Sequence, residues 1–161
     1  MGNRKEYYSF HQFAKDVPRL VQVIQAAEKK RGKKFLNIYA PPRGGLALAV
    51  CLSHQLDIPL MTVSPFDAFP YHLYDGGPLL DLTEQRIRDF STYAKGILIV
   101  DDIADSGKTL TPFKEAEFFI ATLYKHPKSA IEPDIWFHAK QDAWIEFWWE
   151  APDLLVDHAT I

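Results

Sequence analysis

Apolar residues recur at helical spacing from Phe10 through Phe13, Val17, Leu20, Val21 and Ile24 to Ala27, which predicts a long helix with one buried face. Ser9 precedes it as N-cap, with Gln12 three residues on, the arrangement of a capping box. Pro18 either ends a first helix or bends a single one. The basic run from Lys29 to Lys34, interrupted by Gly32, closes the segment, because cations and a following glycine both suit a helix C-terminus. Phe35–Ala40 then reads as the first core strand and Leu46 to about Leu56 as an apolar helix. Leu60–Ser64 reads as a second strand.

From 65 to 95 the pattern breaks up, punctuated by Pro65, Pro70 and Gly76-Gly77-Pro78. So long an irregular stretch inside a domain is usually functional or mobile. Its aromatics, Phe66, Phe69, Tyr71 and Tyr74, form either a local cluster or a subunit interface. Regularity returns with Ile97-Leu98-Ile99-Val100, a β-branched run of strand length that predicts burial on both faces. A short helix from Leu110 to Glu117, a strand at Phe118–Tyr124 and another at Ile135–His138 follow. The aromatic segment from 141 to 150 comes after them.

At 161 residues, 47% hydrophobic and 24% charged, the chain has the composition of one globular domain with a real core. A formal charge of -3 argues against broad nucleic-acid binding, and the basic run reads as a solvated helix end. The single cysteine, Cys51, excludes an internal disulfide framework, fits a reducing compartment and falls in an apolar helical pattern as a structural thiol. The six histidines lack metal-ligand spacing. No segment has the length of a membrane span, and the start lacks a signal peptide's apolar core. Glu6 stands where a myristoylation signal wants Ser or Thr, so the expected location is cytoplasmic.

Chemistry concentrates in residues 97–110, where an apolar run leads into three acids within five residues and then Ser106-Gly107-Lys108-Thr109. Gly107-Lys108-Thr109 looks like the end of a nucleoside-triphosphate P-loop, but the position five before Gly107 is Asp102 instead of glycine. A loop that wraps phosphates in N–H groups does not accommodate three carboxylates. The acids suit a ligand with hydroxyls or magnesium at one end, while Ser106, Gly107 and Thr109 suit a phosphate at the other. In an open α/β sheet such residues, at the carboxyl end of a strand, lie where ligands bind.

This stretch resembles the phosphoribosyl pyrophosphate signature of type I phosphoribosyltransferases, matched throughout from Ile97 to Thr109. The resemblance implies that Asp101 and Asp102 face the ribose hydroxyls and that Asp105, Ser106, Gly107, Lys108 and Thr109 hold the 5′-phosphate. It also implies that Asp105 meets the purine N7 as general base or partner. Upstream, Arg43-Gly44-Gly45 between strand and helix is similar to the family's pyrophosphate loop, where glycines admit an anion and an arginine adds charge. The resemblance implies a cis peptide at Pro42–Arg43. It further implies an α/β fold, a central mostly parallel sheet flanked by helices with a small hood formed by about 125–161 and the N-terminal segment. A flexible loop is expected within 65–95, where Arg86 and Arg88 either supply charge or are solvated.

Downstream the order of residues resembles the xanthine-guanine and hypoxanthine-guanine members. Trp144 would stack on the base, the Ile145 backbone would contact its edge, and Glu150 would approach magnesium with Asp101 and Asp102. A lysine directly before a proline donates to the purine 6-oxo group in those enzymes. Here His126 precedes Pro127 and Lys125 lies one place earlier. Neighbouring side chains on a strand face opposite ways, so either a bulge brings Lys125 in or His126 replaces it. Trp148 and Trp149 read as packing residues. The implied function is transfer of 5-phosphoribosyl from phosphoribosyl pyrophosphate to an oxopurine, with Mg2+, in a homo-oligomer. A non-catalytic regulator of the same fold, or an enzyme for another base, is the alternative.

Overall fold

The computed structural model describes residues 4–68 and 90–150. Strand β1 (Lys5–Tyr8) leads into helix α1 (Phe10–Arg31), strand β2 (Asn37–Tyr39), helix α2 (Leu46–Leu56) and the short helix α3 (Pro65–Ala68). Strand β3 (Ile97–Ala104), helix α4 (Thr111–Glu115), strand β4 (Phe119–Lys125) and the two short strands β5 (His138–Ala139) and β6 (Trp144–Phe147) complete the order. Four strands form a parallel sheet in the order β2-β3-β4-β5, and β1 pairs with β6 in a separate parallel ribbon.

Why α1 is one helix follows from its ends. Ser9 Oγ accepts from Gln12 N at 3.1 Å, and Gly32 closes the other end at φ 65°, a left-handed conformation that glycine adopts without a Cβ clash. Pro18 lies inside the continuous helix. Only half of the capping box forms, since the Gln12 side chain donates to Asp16 Oδ2 at 3.1 Å instead of turning back. The predicted bounds of α2 hold, with Asp57 at its C-cap.

Alternation along β3 feeds two clusters. Leu98 and Val100 join α1, α2 and Tyr8, Ile145 and Phe147 of the β1–β6 ribbon, while Ile97 and Ile99 pack with Leu110, Phe113 and Phe118 on the other face. The result is a sheet covered on both faces, as the strand's apolar run demands.

Several boundaries differ from expectation. Residues 60–64 form no strand; Leu60 makes one bridge to Ile38, and Thr62 and Val63 are exposed, so nothing beyond it recruits them to the sheet edge. Likewise Ile135 makes a lone bridge to Ala121, and β5 begins only at His138. The sequence pattern missed β1, whose KEYY has three exposed residues out of four and therefore no apolar alternation. Cys51 is half-buried, and burial raises its thiol pKa, which fits an inert side chain. Residues 69–89, with Phe69, Tyr71, Tyr74, Arg86 and Arg88 of the expected loop, and the tail from 151 onward lie outside the described residues. Phe66 packs with Phe90, Phe113 and Phe118, a local aromatic cluster.

Candidate active site

All four sheet strands run the same way, so the segments after β2, β3, β4 and β5 gather at one end of the sheet. There β3 continues four residues past its apolar run, paired with β4 as far as Ala104↔Lys125. Asp101 and Asp102 thus lie within the strand rather than after it, at 9% and 6% exposure. Asp101 Oδ1 accepts from Asp102 N at 3.0 Å. Burial, and then the neighbouring Asp102 charge, pushes the Asp101 carboxyl well above the usual carboxylate range. Burial, and then the charge of Glu150, raises Asp102 to about 6.

The loop between β2 and α2 closes directly over this pair. A Cβ on Gly45 would sit 2.5 Å from the Val100 carbonyl oxygen and 2.8 Å from the Asp101 Cα, and one on Gly44 would fall inside the Asp102 carboxylate. Only glycine fits at either position, which gives the Gly-Gly pair a packing reason. The Pro42–Arg43 peptide is cis, as the resemblance implies. Arg43 is exposed and, with Gly44, Trp149 and Glu150, walls a cavity of about 360 Å³ beside the acids.

On the other side, Asp105–Leu110 turns the chain from β3 into α4. Gly107 takes φ 79° and packs where a Cβ would approach Ser129 Oγ at 2.8 Å, so both conformation and space require glycine. Its carbonyl accepts from Leu110 N, Thr111 N and Thr111 Oγ1 at 2.9–3.0 Å. Ser106 Oγ accepts from Lys108 N at 3.3 Å, and Ser106 O from Ala130 N at 3.0 Å. Helix α4 spans five residues, so its dipole contributes little at this turn.

A central cavity of about 260 Å³ brings these parts together, lined by Gly44, Asp101, Asp102, Asp105, Thr109, Trp144, Ile145 and Glu150 among others. Trp144 projects from β6 at 56% exposure, while Ile145 beside it is 5% exposed and anchored in the core. Trp148 and Trp149 pack edge-on against each other and against Phe13, as expected of packing residues.

Lys125 and His126 are not among the residues that line the central cavity. Lys125 pairs with Glu132, and its ammonium lies 5.4 Å from the centre of the Trp136 ring, outside the central cavity's lining. His126 accepts from Lys128 N through Nδ1 at 3.0 Å and lines a neighbouring cavity of about 250 Å³. The residue that does line the central cavity was missed: Lys140 follows β5, is 11% exposed along its side chain, and holds Asp105 Oδ2 at 2.8 Å. Its position four residues before Trp144 was the available signal.

Residues 3–154 match the profile of the phosphoribosyl transferase domain. The chain belongs to this family. Among curated proteins it is 36% identical over 123 residues to the xanthine-guanine phosphoribosyltransferase of Ruegeria sp., covering 70% of this chain and 67% of the relative. The enzyme of the same name from Cereibacter sphaeroides is 35% identical over 113 residues, covering 67% of this chain and 65% of the relative. This phosphoribosyltransferase thus spans about two thirds of the length of those relatives. Among solved structures, a purine phosphoribosyltransferase from Pyrococcus horikoshii is 27% identical, with a TM-score of 0.57 over 91% of this chain and 94% of the other. The Helicobacter pylori xanthine-guanine-hypoxanthine enzyme shares the fold at 23% identity, with a TM-score of 0.62 over 94% of this chain and 95% of the other.

Among the described residues no three His, Cys, Asp or Glu side chains converge as a ready-made metal cage, and no helix is long and apolar enough to cross a membrane. The donor set still suits magnesium. That ion is commonly held by one or two carboxylates together with substrate phosphates, and Asp101, Asp102 and Glu150 offer hard oxygens around one cavity.

Proposed function

We propose that this phosphoribosyltransferase moves the 5-phosphoribosyl group from phosphoribosyl pyrophosphate to the ring nitrogen of an oxopurine in purine salvage, releasing pyrophosphate. The observation that carries this reading is one cavity walled by a buried acid pair, a phosphate-type turn, a glycine loop and an exposed tryptophan. Asp101 and Asp102 accept from the ribose hydroxyls, exchanging their mutual repulsion for donors. The turn from Asp105 to Thr109 binds the 5′-phosphate through backbone N–H groups and side-chain hydroxyls. Arg43 and the N–H groups of Gly44 and Gly45 receive the pyrophosphate. The base stacks on Trp144 against the Ile145 backbone.

As the C1′–oxygen bond to pyrophosphate breaks, positive charge grows at C1′ and the base nitrogen forms the new bond there. The acids and their surroundings stabilise that charge because they are already in place. The proton shed by the base passes to Asp105, whose carboxylate stands at the mouth of the phosphate turn. Magnesium, held by Asp101, Asp102 and Glu150 with the donor's phosphates, would supply charge to the leaving group. A pyrophosphate-release assay with phosphoribosyl pyrophosphate, magnesium and each of guanine, xanthine, hypoxanthine, adenine and uracil tests the reading. Turnover with the oxopurines and none with uracil is expected. Silence on all five, with donor binding retained, would contradict it and favour a binding regulator.

A further inference from the structure

We propose that Tyr8, Asp16 and His138 form a positioning cluster that fixes where β6 holds Trp144 over the central cavity; this rests on the purine-transferase reading above. The base wall does not belong to the main sheet. Trp144 and Ile145 stand on β6, which pairs with β1 in the separate ribbon. The ladder sets their register from Lys5↔Trp144 to Tyr8↔Phe147, and Trp144 N donates to Arg4 O at 2.8 Å. Trp144 therefore goes wherever β1 goes.

Strand β1 is in turn held at its last residue. Tyr8 is 1% exposed and packs edge-on against Tyr124 and Phe147, with ring centres 5.6 and 5.5 Å apart. Burial of that kind is largely non-directional. Direction comes from the Tyr8 hydroxyl, which donates to Asp16 Oδ2 at 2.8 Å, the same oxygen that lies 2.6 Å from His138 Nε2. One atom of α1 thus links the ribbon to β5, the edge strand of the main sheet. Stability alone does not call for this arrangement. A buried carboxylate carries a desolvation cost that a well-packed apolar group avoids, and Oδ1 is buried without a hydrogen bond, 3.7 Å from Arg19 Nη1. What a hydrogen-bonded buried group adds is one defined geometry. Asp101 and Asp102 stand on β3, outside the cluster, so the cluster governs the base and not the phosphoribosyl donor.

The test measures pyrophosphate release by the full chain with magnesium, varying guanine, xanthine or hypoxanthine at saturating phosphoribosyl pyrophosphate and then the reverse. Tyr8→Phe, which removes only the hydroxyl, and His138→Leu should each raise the oxopurine KM about 3- to 10-fold through a displaced Trp144. Turnover at saturating base and the donor KM should stay within about 2-fold of wild type. His138→Gln, which keeps an N–H donor, should restore the base KM. In a Trp144→Ala background Tyr8→Phe should add nothing, because the two act through one contact. Should His138→Leu fail to fold, Tyr8→Phe and this double-mutant cycle decide alone. An unchanged oxopurine KM in Tyr8→Phe, an equal rise in the donor KM, or full additivity with Trp144→Ala overturns the inference while leaving the transferase reading intact. A wild type silent on every purine overturns both.

Discussion

Among the described residues carboxylates are buried in two regions, and their pKa values are shifted in opposite directions. Asp16, on α1, has no exposure, and its Oδ2 accepts from the Tyr8 hydroxyl at 2.8 Å and from Gln12 Nε2 at 3.1 Å and lies 2.6 Å from His138 Nε2. Burial pushes its pKa up, but hydrogen bonds from His138, Gln12 and Tyr8 outweigh it and hold the carboxyl below its ordinary value. Asp101 and Asp102 have backbone donors and each other, and theirs are raised. The first site joins β1, α1 and β5 through three partners of Oδ2, while Oδ1 is buried without a hydrogen bond, 3.7 Å from Arg19 Nη1. The second is an acid pair that lines the central cavity, an arrangement by which a fold can store binding capacity at a cost in stability.

The largest effect that would sharpen this contrast is on activity. Asp102→Asn should lower kcat/KM about 10²- to 10⁴-fold in the pyrophosphate-release assay, since a charged acceptor is lost to both ribose and cation. Near-wild-type turnover would break the contrast. Asp105→Asn should lower kcat by about 10²-fold or more while the donor's affinity stays unchanged; equal losses in both would sink its role as proton acceptor. Asp16→Ala should leave the cavity's chemistry in place but destabilise the fold by about 3 kcal/mol in denaturant titration, because Tyr8 and His138 lose a buried partner. With a lowered folded pKa, the Asp16 contribution is present above its unfolded value of about 4 and is lost as pH falls through the folded value. The smallest effect is that of Trp144→Ala, where loss of stacking should raise the base KM about 10-fold with little change in that of the donor.

How much of this was legible in the sequence differs between the same two regions. Residues 97–110 and 41–45 announced themselves because phosphate turns and close loop approach demand particular residue types at fixed spacing, and the structure places both motifs around one cavity. Helices α1 and α2 were readable from periodicity and caps. The Asp16 site was not, since its partners come from residues 8, 12 and 138, and no local spacing links them. β1 escaped because its strand form depends on pairing with β6, 139 positions away at Lys5↔Trp144. Lys140 escaped for a similar reason: its backbone bond to Lys125 and its ion pair with Asp105 are set by the order of strands in the sheet, which no single segment encodes.

The central claim is that the Asp101–Asp102 pair is kept for a ligand at the expense of the free protein. A group whose folded pKa is raised contributes fully below its unfolded value and loses that contribution as pH rises through the folded one, here about 6 for Asp102. The direct test is denaturant unfolding of wild type and Asp102→Asn, without ligand, at pH 3.5 and pH 8. The two proteins should be close at about pH 3.5, below the unfolded carboxyl value of about 4, and the variant should be the more stable by on the order of 3 kcal/mol at pH 8. A variant less stable than wild type at pH 8 would show that the buried pair supports the fold, and would contradict the account.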